Sequence, residues 1–332
     1  MAVASPTRPG TLRAWILPRY GSADLLELRD VPFPTFRDEH EVLVRVHNSS
    51  VNPADRHNLH PPLFLRGSRG MLRPKDGRVG LDFAGRVEVV GKEVRGVQVG
   101  EEVFGVGRGA FGEFAVADET EIATAPARLS SEQAAAVPLA ATTALQGLRD
   151  HGKVGPGQKV LVNGAAGGVG TFAVQIARAL GADVSAVCST RNVELVRSLG
   201  ATRVFDYSRE DFTQSGERYD LILDLQVNHS LRDFRRVLKP GGLLLVIGAG
   251  KGSIGRILLR LIGRSLAAKL VGPRTKFFIA KVRRPDLLVL AGMLQDGRVT
   301  PVIDRRYPLD QVPAALRYLI EGHARGKIVV TN

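Results

Sequence analysis

The run Gly164-Ala165-Ala166-Gly167-Gly168-Val169-Gly170 constrains this chain more than any other stretch. Before it, Lys159–Asn163 is short and apolar and reads as a buried strand. After it, Thr171–Leu180 reads as a helix with Phe172, Val174, Ile176, Ala177 and Leu180 apolar, stopped by Gly181. Asp183–Ser189 reads as a second strand. A strand, tight turn, helix and strand of this length form a dinucleotide-binding βαβ unit. Ala165, Gly167 and Gly170 hold the three positions of the G-x-G-x-x-G pattern, the first glycine being replaced. Without a Cβ, Gly167 and Gly168 let backbone approach a pyrophosphate, and Gly170 lets helix pack close to strand. The helix N-terminus then offers free N–H groups to the phosphates, so Ala165, Ala166, Gly167, Gly168, Val169 and Gly170 are the expected cofactor cradle.

The end of the second strand selects the dinucleotide. An NAD site places a carboxylate there, about 20 residues beyond the turn, to bond the adenosine ribose. This chain has Cys188-Ser189-Thr190-Arg191-Asn192 and no acid. Ser189 and Thr190 can donate to a 2′-phosphate and Arg191 can neutralise it, which predicts NADPH.

The chain's 332 residues suffice for two domains with sizeable cores. No apolar run reaches the roughly 18 residues of a membrane span. Met1–Gly10 has no apolar core for a secretory signal. Cys188 is the only cysteine, which excludes an intrachain disulfide and a thiolate zinc cluster and suits a cytoplasmic protein. A net charge of +13 raises the question of nucleic acid. The arginines are spread along the chain and aromatics are only 6%, so no nucleic-acid partner is expected.

Up to about residue 125 the chain reads as short strands punctuated by glycine, a barrel-like and mostly antiparallel region. Glu41–Asn48 alternates apolar and polar, the mark of a half-buried strand. Ser130-Ser131-Glu132-Gln133 offers an N-cap for a helix from Ala134, followed by a helix over Ala140–His151. Strands and helices then alternate as in a doubly wound parallel sheet, with strand Gly242–Gly248 among them. Ile254–Leu270 reads as a basic amphipathic helix. Predicted domains are 1–128, 129–275, and a segment 276–332 that returns to the first domain.

Val51-Asn52-Pro53-Ala54-Asp55, Gly80-Leu81-Asp82-Phe83-Ala84-Gly85, Ala165–Gly170, Leu199-Gly200-Ala201, Pro240-Gly241-Gly242 and Gly322-His323-Ala324-Arg325-Gly326-Lys327 together resemble the zinc-independent, quinone-oxidoreductase-like branch of the medium-chain dehydrogenase/reductases. The resemblance covers nearly the whole chain. It implies an α/β protein: a GroES-like β-rich catalytic domain built from both ends of the chain, around a Rossmann domain. Zinc-dependent relatives place His-Glu where this chain has Leu81-Asp82, and carry a catalytic cysteine and a four-cysteine lobe that are missing here. A metal site needs about three protein ligands. Only His57 and His60 stand at a short spacing, so no metal is expected.

Without a Lewis acid, a nicotinamide favours acceptors already activated, a quinone or the alkene of an α,β-unsaturated carbonyl. Asn52 can donate to the acceptor oxygen or cap the helix beside Pro53. Asp55 can orient the ribose or Arg56, or sit in that helix's first turn. The resemblance implies Thr142 near the nicotinamide, Tyr207 and Gly248 at the cofactor, Lys327 as a cofactor lysine, and a homodimer. Two other readings stay open: a zinc-free alcohol or carbonyl dehydrogenase, and a non-catalytic NADPH-binding protein with a basic surface for RNA or membrane.

Overall fold

The computed structural model describes residues 10–61, 66, 70, 71, 73–247, 274–322 and 324–332. The expected helix Ile254–Leu270 and Gly248 lie outside the described residues. Two compact units result: residues 1–142, 282–296 and 301–332 form one, and residues 143–281 and 297–300 the other. The divisions expected at 128/129 and 275/276 therefore move to 142/143 and 281/282. The reason is local: α2 (Ser131–Ala135) packs on strands of the first unit, and α3 (Pro138–Leu145) carries the chain from one unit to the other.

The first unit begins with an antiparallel hairpin, β1 (Thr11–Ile16) and β2 (Glu27–Pro32). Its main sheet contains β3 (Glu41–Val51), β4 (Asp82–Val90), β5 (Glu102–Val106), β6 (Phe114–Asp118) and β7 (Ile122–Thr124). The chain's last two strands, β14 (Ile303–Pro308) and β15 (Lys327–Thr331), complete it in the order β14-β15-β3-β4-β5-β7, with β6 on β3. β15 runs antiparallel to β3 with Ile328 opposite Val51, so both ends of the chain share one sheet. Among the described residues this unit also contains α1 (Pro53–Leu59), α7 (Arg284–Gln295) and α8 (Val312–Glu321). Leu316 of α8 packs with Trp15, Leu59, Phe111 and Ile328 in one buried cluster.

Among the described residues the sheet of the second unit has six strands, all parallel. Its strands are β8 (Lys159–Asn163), β9 (Asp183–Cys188), β10 (Arg203–Asp206), β11 (Tyr219–Asp224), β12 (Leu238–Val246) and β13 (Arg274–Phe277). Val160, Leu161 and Val162 are buried without alternation, as a strand covered on both faces requires. α4 (Gly168–Ala179), α5 (Val193–Ser198) and α6 (Leu231–Val237) are the crossover helices among the described residues. The order β10-β9-β8-β11-β12-β13 reverses direction between β8 and β11. In such sheets ligands bind beyond the carboxyl ends of the strands at that reversal.

Several boundaries differ from expectation. α4 starts at Gly168 rather than Thr171, because the last glycines of the motif are its own first turn. The helix expected over Ala140–His151 is α3 followed by a π-helical turn, Gln146–His151. β12 begins at Leu238 and runs through Pro240-Gly241.

Candidate active site

The glycine turn of the second unit stands at the reversal. Gly164 takes φ +92°, a left-handed conformation that L side chains rarely adopt, and turns the chain out of β8. A Cβ on Gly170 would collide with the Gly164 carbonyl oxygen, so α4 approaches β8 only because this residue is glycine. Gly167 differs: the nearest atom to its missing Cβ is that same oxygen, 3.6 Å away. Packing within the protein therefore does not require glycine there. Gly167 is also the N-cap of α4 and places no side chain over the helix end. The first turn of a helix leaves N–H groups without intrahelical acceptors, and these fit a pyrophosphate.

At the end of β9, Ser189 Oγ accepts a hydrogen bond from Asn192 Nδ2 (3.0 Å), which leaves its own proton available to a ligand. Thr190 behaves otherwise. Its hydroxyl donates to Asp206 Oδ2 at 2.6 Å. Sequence reasoning missed Asp206, since it ends β10 and reaches Thr190 only because β10 lies beside β9. The Thr190 hydroxyl, together with the Ser208 N–H and Arg209, holds the Asp206 carboxyl below the usual carboxylate range. Arg209 Nε lies 3.4 Å from Asp206 Oδ2. Arg191 is exposed, and Tyr207, just past β10, is 64% exposed. Burial, reinforced by Asp206, pushes the Cys188 thiol up to about 11, so little of the reactive thiolate forms at neutral pH.

The reversal point holds a second missed group. Asp224 ends β11, is fully buried, and accepts from Asn163 Nδ2 (2.9 Å) and from the N–H groups of Gln226 and Val227 through Oδ1. Its Oδ2 has no hydrogen-bond partner. Val227 bears the strain of the turn at φ +56°, unusual for a β-branched residue. The signal in the sequence was a polar residue at the carboxyl end of two apolar strands.

In the first unit, Ser50 and Asn52 from the end of β3, Asp82 at the start of β4 and Lys327 at the start of β15 meet in one buried cluster. Lys327 Nζ contacts Asn52 Oδ1 at 2.6 Å, Val51 O at 3.4 Å and Asp82 Oδ2 at 3.4 Å. Asp82 Oδ2 also accepts from Asn52 Nδ2 (2.8 Å) and Ser50 Oγ (3.0 Å), and Oδ1 accepts from Leu139 N (3.2 Å). The side chains of Lys327 and Asp82 are 2% and 0% exposed. Burial pushes the Asp82 carboxyl up and the Lys327 ammonium down, and each partner opposes the other's shift. The three N–H bonds of Lys327 are thus spent on protein acceptors. In this structure Lys327 is the counter-ion of Asp82.

Asn52 is the N-cap residue of α1, and its side-chain amide is engaged by Asp82 and Lys327. Of its two expected roles, donor to an acceptor oxygen or helix cap, the structure adds a third, the bridge between Asp82 and Lys327. Asp55 accepts from Asn52 N through Oδ2 at 2.8 Å, and its Oδ1 is buried without a partner. Burial, with Asp82 nearby, raises the Asp55 carboxyl to about 7. Thr142, in α3, is fully buried with its Oγ1 unpartnered, an orphaned hydroxyl that a ligand group can satisfy. Among the described residues no three His, Cys, Asp or Glu side chains converge as metal ligands, and no helix is long and apolar enough to cross a membrane.

Comparison with known proteins bears on this geometry directly. Residues 38–127 match the alcohol dehydrogenase GroES-like domain, and residues 199–330 match the zinc-binding dehydrogenase family. The chain is 33% identical to a chloroplast envelope quinone oxidoreductase homolog of Arabidopsis thaliana, over 93% of this chain and 95% of that protein. It is 31% identical to the 2-methylene-furan-3-one reductase of Solanum lycopersicum, over 97% of this chain and 79% of that one. The quinone oxidoreductase structure from Coxiella burnetii superposes with a TM-score of 0.84 at 27% identity, over 97% of this chain and 99% of that one. A glycine turn at the reversal of a parallel sheet, a GroES-like unit closed by both chain ends, and these relatives agree: the chain is an oxidoreductase of the medium-chain dehydrogenase/reductase family, in its quinone-oxidoreductase-like branch.

Proposed function

We propose that this protein is an NADPH-dependent, zinc-independent reductase that delivers hydride to a quinone or to the alkene of an α,β-unsaturated carbonyl. The nicotinamide supplies hydride when bound. The chain's own residues bind and orient. The Gly167 turn and the α4 N-terminus receive the pyrophosphate, Ser189 and Arg191 receive the 2′-phosphate, and the orphaned Thr142 hydroxyl offers a hydrogen bond to a ligand. The observation that carries the cofactor assignment is the acid-free turn at Ser189–Arg191, since a carboxylate there bonds the ribose diol and repels a phosphate. Asp206 does not fill that role, because Thr190, Ser208 and Arg209 already occupy its carboxylate.

A charge-assisted arginine–phosphate contact contributes on the order of 1.5–3 kcal/mol, and exposure of the turn pulls this toward the low end. The expected preference for NADPH over NADH is therefore about tenfold or more in kcat/KM. Arg191→Ala should remove most of it with NADH turnover nearly unchanged, and Ser189→Asp should reverse it. Steady-state kinetics with each cofactor at a fixed quinone gives the answer. Equal wild-type values for the two cofactors sink the NADPH assignment, and no turnover with any quinone or enone sinks the catalytic one.

Zinc independence is supported by Asp82, which stands where zinc-dependent relatives carry a ligand carboxylate and is here neutralised by Lys327. Activity is expected to survive dialysis against a chelator; loss that zinc restores overturns this reading. The homodimer reading is supported by β13, an exposed strand at the edge of the parallel sheet that a second copy can extend. Light scattering at a single-chain mass counts against it. A lone, buried cysteine fits a reducing compartment such as the cytoplasm, which fractionation of the source cells would check.

A further inference from the structure

The first unit contains a cavity of about 460 Å³ that the proposed hydride transfer does not use. Its volume lies in the range of small-molecule pockets, roughly 300–1,000 Å³. One end is apolar: Leu17, Leu59, Phe111 and Leu316 line it, and all four are buried. Asp55 also lines the cavity, and burial raises its carboxyl to about 7.

The other end is cationic. Arg37, Arg78 and Arg108 converge on the single carboxylate of Asp76, at 3.6, 3.3 and 3.4 Å. Arg108 also pairs with Glu41 at 2.7 Å. Lys75 lines the same end. Four cations face two carboxylates, and the Nε of Arg78 is buried without a partner. The same four cations line an adjoining recess, so the cluster stands between two open spaces. The loop that carries it is pinned rather than free: Leu17 N donates to Gly77 O at 2.7 Å, and a Cβ on Gly77 would press on Ile16 at 2.9 Å. A guanidinium cluster with excess positive charge beside an apolar slot matches an anionic head on an apolar body.

We propose that this cavity is a binding site for an amphipathic carboxylate, its head among Arg37, Arg78 and Arg108 and its apolar body between Leu17, Leu59, Phe111 and Leu316. The site lies within one unit and is independent of the nicotinamide cofactor. It also brings its own reporter. Trp15, the only tryptophan in the chain, belongs to the same buried cluster as those four apolar residues.

The test is a titration of the full chain, without cofactor, followed by Trp15 fluorescence and by calorimetry. The probes are octanoate, octanol and inorganic phosphate. Octanoate should bind saturably, with octanol and phosphate each about tenfold weaker or worse. Arg37→Gln and Arg108→Gln should each weaken octanoate about tenfold, while Asp76→Asn, which removes the competing anion, should tighten it severalfold. Arg37 is more than half exposed and pairs only at 3.6 Å, so its variant will fold even if that of Arg108 does not. No binding by either method overturns the proposal. Octanol or phosphate binding as tightly as octanoate overturns it too, as does octanoate affinity unchanged in Arg37→Gln and Asp76→Asn. Because no hydride acceptor is present, this result is independent of whether the protein reduces quinones.

Discussion

Lys327→Met is expected to lower the unfolding free energy by about 3–5 kcal/mol, the cost of leaving a buried charge without its partner. The ammonium fills a space where Asn52 Oδ1, Val51 O and Asp82 Oδ2 all accept from it. Methionine replaces the volume but none of the donors. Asp82 would then keep its bonds from Ser50, Asn52 and Leu139 and lose its only counter-charge. Asp55, which also faces Lys327, would lose an attraction as well. Removing both charges should recover much of the loss, since replacing a buried ion pair by neutral groups is often near neutral. Urea denaturation of Lys327→Met, Asp82→Asn and the double variant measures this. A single Lys327 variant within about 1 kcal/mol of wild type would show that the cluster is not an ion pair in the folded protein.

The second large effect belongs to Asp55 and has a definite sign. Its folded carboxyl titrates near 7, above the ordinary value of 3.8. Between those two pH values the folded protein holds a proton that the unfolded chain has released. Asp55 therefore contributes its full relative stability below about pH 4, and that contribution is lost as pH rises through about 7. At about 1.4 kcal/mol per unit, the swing is at most about 4 kcal/mol. Asp55→Asn removes the titration while keeping a side-chain acceptor for the Asn52 N–H. The wild type should thus lose stability relative to Asp55→Asn between pH 4 and 7 and run parallel to it above pH 8. Asp82 and Lys327 face Asp55 and are present in both proteins, so most of their own titration cancels. Urea midpoints at four or five pH values suffice. Parallel curves throughout would mean that Asp55 is ionised in the folded state.

What was legible in the sequence was local. The glycine turn and the N-cap at Ser130 depend on neighbours a few residues apart, and the structure has them in place. The alternation expected over Glu41–Asn48 is not seen, since Glu41, Val42, Leu43 and Val44 are all buried. Boundaries slipped where one residue serves two elements. Gly168 is both the end of the motif and the first helical residue. The site was legible residue by residue but not as a set. Asn52, Asp82 and Lys327 each drew attention, yet their shared cluster depends on β15 returning to β3 across most of the chain. Asp206 escaped for the same reason: its tie to Thr190 exists only because β10 pairs with β9. The cationic pocket around Asp76 joins loops separated by up to 71 residues, Arg37 to Arg108, and no short motif announces it.

The late arrival of β15 has a consequence for biosynthesis. The parallel-sheet unit needs nothing beyond residue 300, whereas the unit begun at the N-terminus needs residues 301–332. A ribosome must therefore finish the second-begun unit while the first still lacks Ile328, Val330 and α8 for its core and Lys327 for its acid cluster. Strands β3 to β7 wait as an open sheet with the β3 edge that β15 will cover still unpaired, the state in which nascent chains are most exposed to aggregation. The sheet begun at β3 closes only once residues 301–332, which follow the whole of the second unit in the chain, have been made.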